Sequence, residues 1–323
     1  MTYKIGTRGS LLSLAQTNWV ISELKKRLPE TEFEIVTIKT KGDTDARPLF
    51  TINQKGIFEK EIDRAVAEKK VDFAVHSLKD VPSDLPDDLV LACIPKREDA
   101  NDIFISKDGS TLETIKKGAK VGTSSLRRAV QIRRIRPDLI VKPIRGNIET
   151  RIKKIDQGEF DAVILAQAGI SRLGLDVKFE KLSTKDFPPS PGQGAIGIIT
   201  RKDNHSLIEV LKKIEDLDSR YTVEAERSLS VFVESGCRFP VGALAEKKGD
   251  KLTLNVIVYS VDGNKSINVE STGHFLQAVE VGKQAASELA KKGVADLAKN
   301  WREKVEEWNK NDRKSLHCWS RTW

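Results

Sequence analysis

Short apolar runs alternate with stretches of helical period from the start of the chain. "YKIGT" (3–7) reads as a strand, and Ser10 stands where a cap would open the helix "LLSLAQTNWVISELKKRL". "EFEIVTIKT" is the next strand, and "GIFEKEIDRAVAEKK" predicts a helix that leads into a buried strand, "VDFAVHS" (71–77). Two prolines in "LKDVPSDLP" end regular structure there. Strands alternating with helices in this way predict parallel α/β sheets.

The same order then returns. "KVGTSSLRRAVQIRRI" (120–135) repeats the strand, Gly-Thr, serine cap and helix of "KIGTRGSLLSLAQ" (4–16). "IETRIKKIDQGEFDAVILAQ" (148–167) repeats the helix-into-strand of residues 57–77. The echo predicts twin α/β lobes with a cleft between them. The first lobe spans residues 1–95 plus about 190–215, and the second spans 99–188. "FPPSPGQGAIGIITRKD" (187–203) is the hinge or return segment, followed by a strand. Gly192, Gly194 and Gly197 match GxGxxG, but prolines precede them and a β-branched strand follows, the reverse of the dinucleotide context. From about 216 the pattern changes to a helix, "SRYTVEAERSLSVFVES", a hairpin of "LTLNVIVYS" and "SINVESTG", and a final helix, "HFLQAVEVGKQAASELAKK". This predicts a small α+β domain over 216–298, followed by a tail, 299–323, that holds four of the five tryptophans.

Composition narrows the class. With 39% hydrophobic and 32% charged residues in 323, the chain reads as an ordinary globular protein of two or three domains. No apolar run approaches the roughly 18 residues that span a bilayer, and the N-terminus lacks a basic-then-apolar leader, so a cytoplasmic protein without a membrane partner is expected. Three scattered cysteines form no CxxC pair, and four histidines form no HExxH, so no metal site is expected. The net charge of +8 is concentrated, since residues 120–154 hold 11 Lys and Arg against 2 Asp and Glu. Such a local surplus points to an anionic partner.

Ligands of open α/β sheets lie beyond the carboxyl ends of strands, where helix N-termini attract anions. Arg8 and Ser10, Lys79 and Asp80, the run Thr123, Ser124, Ser125, Arg127 and Arg128, and the pair Arg145 and Arg151 all fall at such ends. Taken singly, each is better explained by helix capping or a solvated face. Basic groups at all these ends favour a cleft for a ligand with several carboxylates or phosphates. A nucleic-acid partner is disfavoured, because the arginines sit at strand ends rather than along one exposed helix with interleaved aromatics. Asp80 is an acid in this basic setting, either a turn former or a group placed against developing positive charge. His76 and Cys93 read as core residues, and Cys318 as incidental. Cys237 lies on a bend next to Arg238, a neighbour that favours the reactive thiolate.

Seven motifs in order, "IGTRGSLLSLAQ", "KGIFEKEID", "DFAVHSLKDVP", "VGTSSLRRAVQI", "IRGNIETRIKKID", "FPPSPGQGAIGI" and "AERSLSVFVESGCRFPVGA", resemble the hydroxymethylbilane synthase (porphobilinogen deaminase) family as far as about residue 297. The resemblance implies two periplasmic-binding-protein-like α/β lobes with a small α+β C-terminal domain, in a monomeric enzyme. It implies a dipyrromethane primer covalently attached through a thioether to Cys237, and porphobilinogen as substrate. Four deaminative additions, each through an azafulvene-like cation, would be followed by hydrolytic release of linear hydroxymethylbilane. By the same match Asp80 is the catalytic aspartate. Lys79, Ser77, Thr123, Ser124, Arg127, Arg128, Arg145 and Gly146 would hold the primer. Arg8, Ser10, Gln16, Lys55, Arg151, Arg172 and Gln193 would hold substrate. The chain departs from the family at Ser235-Gly236, Arg238-Phe239 and Gln54, which bears on loop mobility and primer loading. A non-catalytic binding protein for a polyanionic small molecule is the alternative, and it gives Cys237 no role.

Overall fold

The computed structural model describes residues 2–44, 59–234, 240–297 and 303. Strand β1 (Thr2–Thr7) feeds helix α1 (Leu11–Lys25), whose cap is Ser10, with Oγ accepting from the Ser13 backbone N–H at 3.2 Å. Such a cap contributes about 1 kcal/mol. β2 (Glu32–Thr37), the short α2 (Lys41–Thr44), α3 (Lys60–Ala67), β3 (Phe73–Ser77) and β4 (Leu89–Cys93) follow, with one 3₁₀ turn over Leu78–Asp80. The chain then crosses into β5 (Asp102–Ser106), β6 (Lys120–Gly122), α4 (Leu126–Ile135), β7 (Ile140–Lys142), α5 (Ile148–Asp156), β8 (Ala162–Ala166), α6 (Gln167–Leu173) and β9 (Glu180–Lys181). It returns through β10 (Ile196–Arg201) and α7 (His205–Leu211).

The two five-stranded sheets share one plan, β2-β1-β3-β10-β4 and β7-β6-β8-β5-β9. They are mixed, not parallel as the alternation predicted. β10 runs antiparallel to β3 and β4, and β5 runs antiparallel to β8 and β9. A parallel neighbour needs a crossover over a sheet face, whereas β5 and β10 arrive straight from the other lobe and so run in the opposite sense. The consequence matters for the cleft. Its rim collects the carboxyl ends of β1, β3, β6 and β8 together with the amino ends of β5 and β10, as the pairings Asp102↔Ala166 and Ile196↔Ser77 record.

Apolar side chains fill both faces of each sheet. Ile5, Phe73, Val75 and Ile198 pack with Val20 and Leu24 of α1 on one face of the first sheet, and Ile62, Val66, Ala74 and Ile199 pack on the other. Phe104, Val121, Ile132 and Ile164 form one core of the second sheet, and Ile103, Ile144, Val163 and Ile170 form the other. His76 and Cys93 are buried as the sequence suggests. The His76 ring lies 3.0 Å from the Asp63 carboxylate, and burial pushes the Cys93 thiol up.

The C-terminal unit contains α8 (Leu217–Glu234), a meander of β11 (Val241–Lys248), β12 (Lys251–Tyr259) and β13 (Ser266–His274), then α9 (Ala278–Lys291) and α10 (Val294–Leu297). β11 was not predicted. Its inward positions are Ala243 and Ala245, and such small residues carry little strand signal. They are small where β11 meets the return segment, since Gly242 lies against Pro188 and the Ala243 N–H donates to the Pro189 carbonyl at 2.8 Å. Helices α8 and α9 cover the inner face, with Leu252, Leu254, Val256 and Val258 beneath them. A Cβ on Gly282 would lie 2.4 Å from the Ala225 carbonyl, so only glycine lets the two helices approach this closely.

Candidate active site between the lobes

A cavity of about 610 Å³ opens between the lobes. Seven cationic side chains line it, Arg8, Lys79, Arg127, Arg128, Arg145, Arg151 and Arg172, and among the described residues Asp80 is the one acid in its wall. Ser10, Gln16, Ser77, Ser124, Gly146 and Gln193 line it as well. Thr123 does not. It is buried just behind the wall, where its Oγ1 accepts from the Ser125 N–H at 3.2 Å and so shapes the turn into α4. Lys55 and Cys237 lie outside the described residues.

Local geometry explains how these groups reach the cleft. Ser10, Ser125 and Asn147 cap α1, α4 and α5, so three helix N-termini face it. The Gln16 amide donates to Ser77 Oγ at 2.8 Å and joins α1 to the end of β3. Ser124 Oγ donates to the Ile144 carbonyl, and Arg151 Nε donates to the Gly146 carbonyl at 2.8 Å. Arg172 on α6 donates to the Gly194 carbonyl at 2.7 Å. Gly194 has φ +86°, and a Cβ there would lie 2.4 Å from the Glu98 carbonyl, so the two segments that join the lobes touch at a position only glycine fits.

Electrostatics follow from packing many cations together. Burial, with Arg128 adding repulsion, lowers the half-buried Lys79 ammonium to about 8. Burial likewise lowers Arg151 and Arg172 to about 10, with Arg128 and Arg145 contributing at Arg151, and both stay charged at neutral pH. Desolvated cations of this kind are poised to take anions.

Two features escaped the sequence. Arg127 and Arg128 do not project freely into the cavity. Both are buried and paired with Asp102 at 2.7 Å. Arg127 also donates to Gln131 and to the Pro188 carbonyl, each at 2.8 Å, and its buried Nε has no protein partner. The second feature is the buried pair Arg97–Glu226. Glu226 accepts from Arg97 Nη1 at 2.8 Å and Nη2 at 3.0 Å, from the Gly192 N–H at 2.6 Å and from the Ala245 N–H at 2.9 Å. It thereby ties α8 to both connecting segments and to β11. An acid opening an apolar strand, as in "NDIFIS", was the available signal for Asp102. Nothing comparable marked Glu226 on its helix.

Twin lobes around a cleft that, among the described residues, has seven cations and one acid in its wall suit a small polyanion. The comparisons sharpen that reading. A family model described as "Porphobilinogen deaminase, dipyromethane cofactor binding domain" matches residues 3–209, and one described as "Porphobilinogen deaminase, C-terminal domain" matches 220–291. The chain belongs to the porphobilinogen deaminase family, whose members are transferases of porphyrin biosynthesis with a dipyrromethane cofactor. A probable porphobilinogen deaminase of Nitrosopumilus maritimus is 67% identical over 310 residues, which cover 96% of this chain and 100% of that one. The porphobilinogen deaminase of Desulforamulus reducens is 43% identical, covering 90% and 94%. A probable porphobilinogen deaminase of Hyperthermus butylicus is 39% identical, covering 91% and 100%. Among solved structures, the second substrate binding domain of a putative amino acid ABC transporter from Streptococcus pneumoniae aligns with a TM-score of 0.42 at 14% identity, over 66% of this chain and 91% of that one. A likeness at that level adds nothing to the topology.

The cleft fits the family's cofactor. Two linked pyrroles bear four carboxylates, and the wall offers seven cations and an unpartnered buried guanidinium N–H on Arg127.

Proposed function

We propose that the chain is a hydroxymethylbilane synthase, which condenses four molecules of porphobilinogen head to tail with loss of ammonia and releases linear hydroxymethylbilane by hydrolysis. The observation that carries this reading is the cleft itself, where among the described residues Asp80 is the one carboxylate on a wall of cations. When bound, the dipyrromethane supplies the nucleophilic pyrrole carbon on which the chain grows.

The chain's own residues divide the remaining work. Cys237 holds the primer, with Lys79, Ser77, Ser124, Arg127, Arg128, Arg145 and Gly146 around its carboxylates and Thr123 supporting the turn behind them. Arg8, Ser10, Gln16, Lys55, Arg151 and Arg172 serve the incoming porphobilinogen, with Gln193 supporting the floor beneath them. Each porphobilinogen brings an acetate and a propionate, so guanidinium groups that take carboxylates in two-point fashion suit it. Asp80 sits where pyrrole N–H groups and the positive charge that develops as ammonia departs can be met by a fixed anion. Preorganised charge of this kind is worth about 10²–10³ in rate. The division of labour by domain is the first lobe from residues 1–95 plus about 190–215, the second from 99–188, and the cofactor-bearing unit from 216–298. We further read the protein as a cytoplasmic monomer. Among the described residues no helix is long and apolar enough to cross a membrane.

The test is turnover of porphobilinogen, followed by ammonia release, in the wild type and Asp80→Asn. The variant is expected to lose about 10²-fold or more in kcat while keeping its fold and its covalent adduct. Near-normal turnover in Asp80→Asn, or none in the wild type, contradicts the reading.

A further inference from the structure

Asp102 lies behind the cleft wall, outside the ligand-holding set. It opens β5, is fully buried, and accepts hydrogen bonds at both oxygens. Oδ2 takes Arg127 Nη1 at 2.7 Å, and Oδ1 takes Arg128 Nη2 at 2.7 Å, Arg128 Nε at 3.0 Å and Gln193 Nε2 at 2.8 Å. Gln193 is buried as well, and its amide is fully used. Nε2 also donates to the Ala100 carbonyl at 2.8 Å, while Oε1 accepts from Lys79 Nζ at 3.2 Å and Arg128 Nη2 at 3.4 Å. Only this amide orientation is chemically consistent, because the flipped one would set an NH₂ against two cations and an oxygen against a carboxylate. Lys79 belongs to the first lobe, Asp102 and Arg128 to the second, and Gln193 to the segment returning from one to the other.

We propose that Asp102 and Gln193 are positioning residues. The carboxylate fixes the guanidinium planes of Arg127 and Arg128, and the Gln193 amide locks them to Lys79 across the cleft floor, so the ligand-holding groups of the two lobes keep one arrangement. Gln193, grouped with the substrate ligands by resemblance, thus acts through its neighbours and has no free donor or acceptor to offer. Two guanidiniums sharing one carboxylate carry a net charge of one, so Asp102 offsets part of the repulsion that Arg127 and Arg128 exert on Lys79. The fork of Arg128 is committed to Asp102 and to the Ile164 carbonyl, so its orientation does not depend on ligand.

The proposal rests on the functional reading above only in its kinetic arm. Its first arm needs no turnover. Lys79 faces Asp80 and Asp102 as anions and Arg127 and Arg128 as cations. The pH dependence of Lys79 acetylation by trace acetic anhydride, read by peptide mass spectrometry, reports its titration in the whole protein. Removing the charge in Asp102→Asn, or the acceptor in Gln193→Leu, is expected to move the Lys79 midpoint down by about half a pH unit or more, a roughly threefold change in acidity. Asp102→Glu should keep it near the wild-type value. In the kinetic arm, kcat/KM for porphobilinogen should fall about tenfold or more in Asp102→Asn and recover in part in Asp102→Glu. A Lys79 midpoint unchanged in folded Asp102→Asn and Gln193→Leu overturns the proposal. If Asp102→Asn does not fold, Gln193→Leu alone decides by the same readout. A wild type without turnover would strike the functional reading and leave the acetylation result standing.

Discussion

Among the described cleft residues, Lys79 is the one with an ionisation placed near working pH. Its ammonium lies at about 8 through burial and the repulsion of Arg128, and Asp80 and Asp102 pull in the other direction. Carboxylates of the substrate stay ionised throughout this range. The cation is present below about 8 and lost above it, so kcat/KM for porphobilinogen should decline as pH rises through about 8. Lys79→Arg should push that limb beyond pH 9, because a guanidinium stays protonated there. A profile identical in wild type and variant would exclude Lys79 as the controlling group. Six of the seven cleft cations among the described residues were legible from strand ends, whereas Arg172, in the last turn of α6, came only from the family resemblance. Asp102 is passed over despite the signal of an acid opening an apolar strand. It opens an antiparallel strand, and a search confined to carboxyl ends passes over the amino ends that β5 and β10 bring to the same rim.

Elements follow the same division. The caps Ser10, Ser125 and Asn147 and the helices they open could be read from local chemistry, as could β1, β3, β6 and β8. The direction of β5 and β10 could not, since it depends on where the chain comes from rather than on what the strand contains. β11 was hidden by its small residues. The helix α8 was visible, but its anchor was not. Glu226 has its carboxylate wholly buried and stands against Arg97 from 129 residues away. Breaking such a pair by removing one partner leaves a buried charge uncompensated and costs about 3–5 kcal/mol. Glu226→Ala should lose stability of about that size in denaturant unfolding, and Arg97→Ala should cost a similar amount. The double variant should lose clearly less than the sum. Additive losses would mean that the pair does not act as a unit, and that α8 is held to the connecting segments by packing alone.

For the whole molecule, the local charge surplus and the repeated lobe order together anticipated a cationic cleft between twin lobes, and the structure has one. The basic region of residues 120–154 does not form one continuous exposed face. Arg127 and Arg128 turn inward to Asp102, and Arg136 is spent on Asp138 and the Leu112, Glu113 and Ile115 carbonyls. That dispersal favours a small anion enclosed by the lobes over a long polyanion lying across a surface. The tail, 299–323, lies beyond both matched family domains and has no part in this account.

The central claim is that the cleft is built around a primer held by Cys237, and the intact mass of the denatured protein tests it most directly. The account predicts an excess equal to one dipyrromethane on the wild type and none on Cys237→Ala. A wild type that stays bare after incubation with porphobilinogen or preformed hydroxymethylbilane, or a variant that still carries the excess, would contradict it.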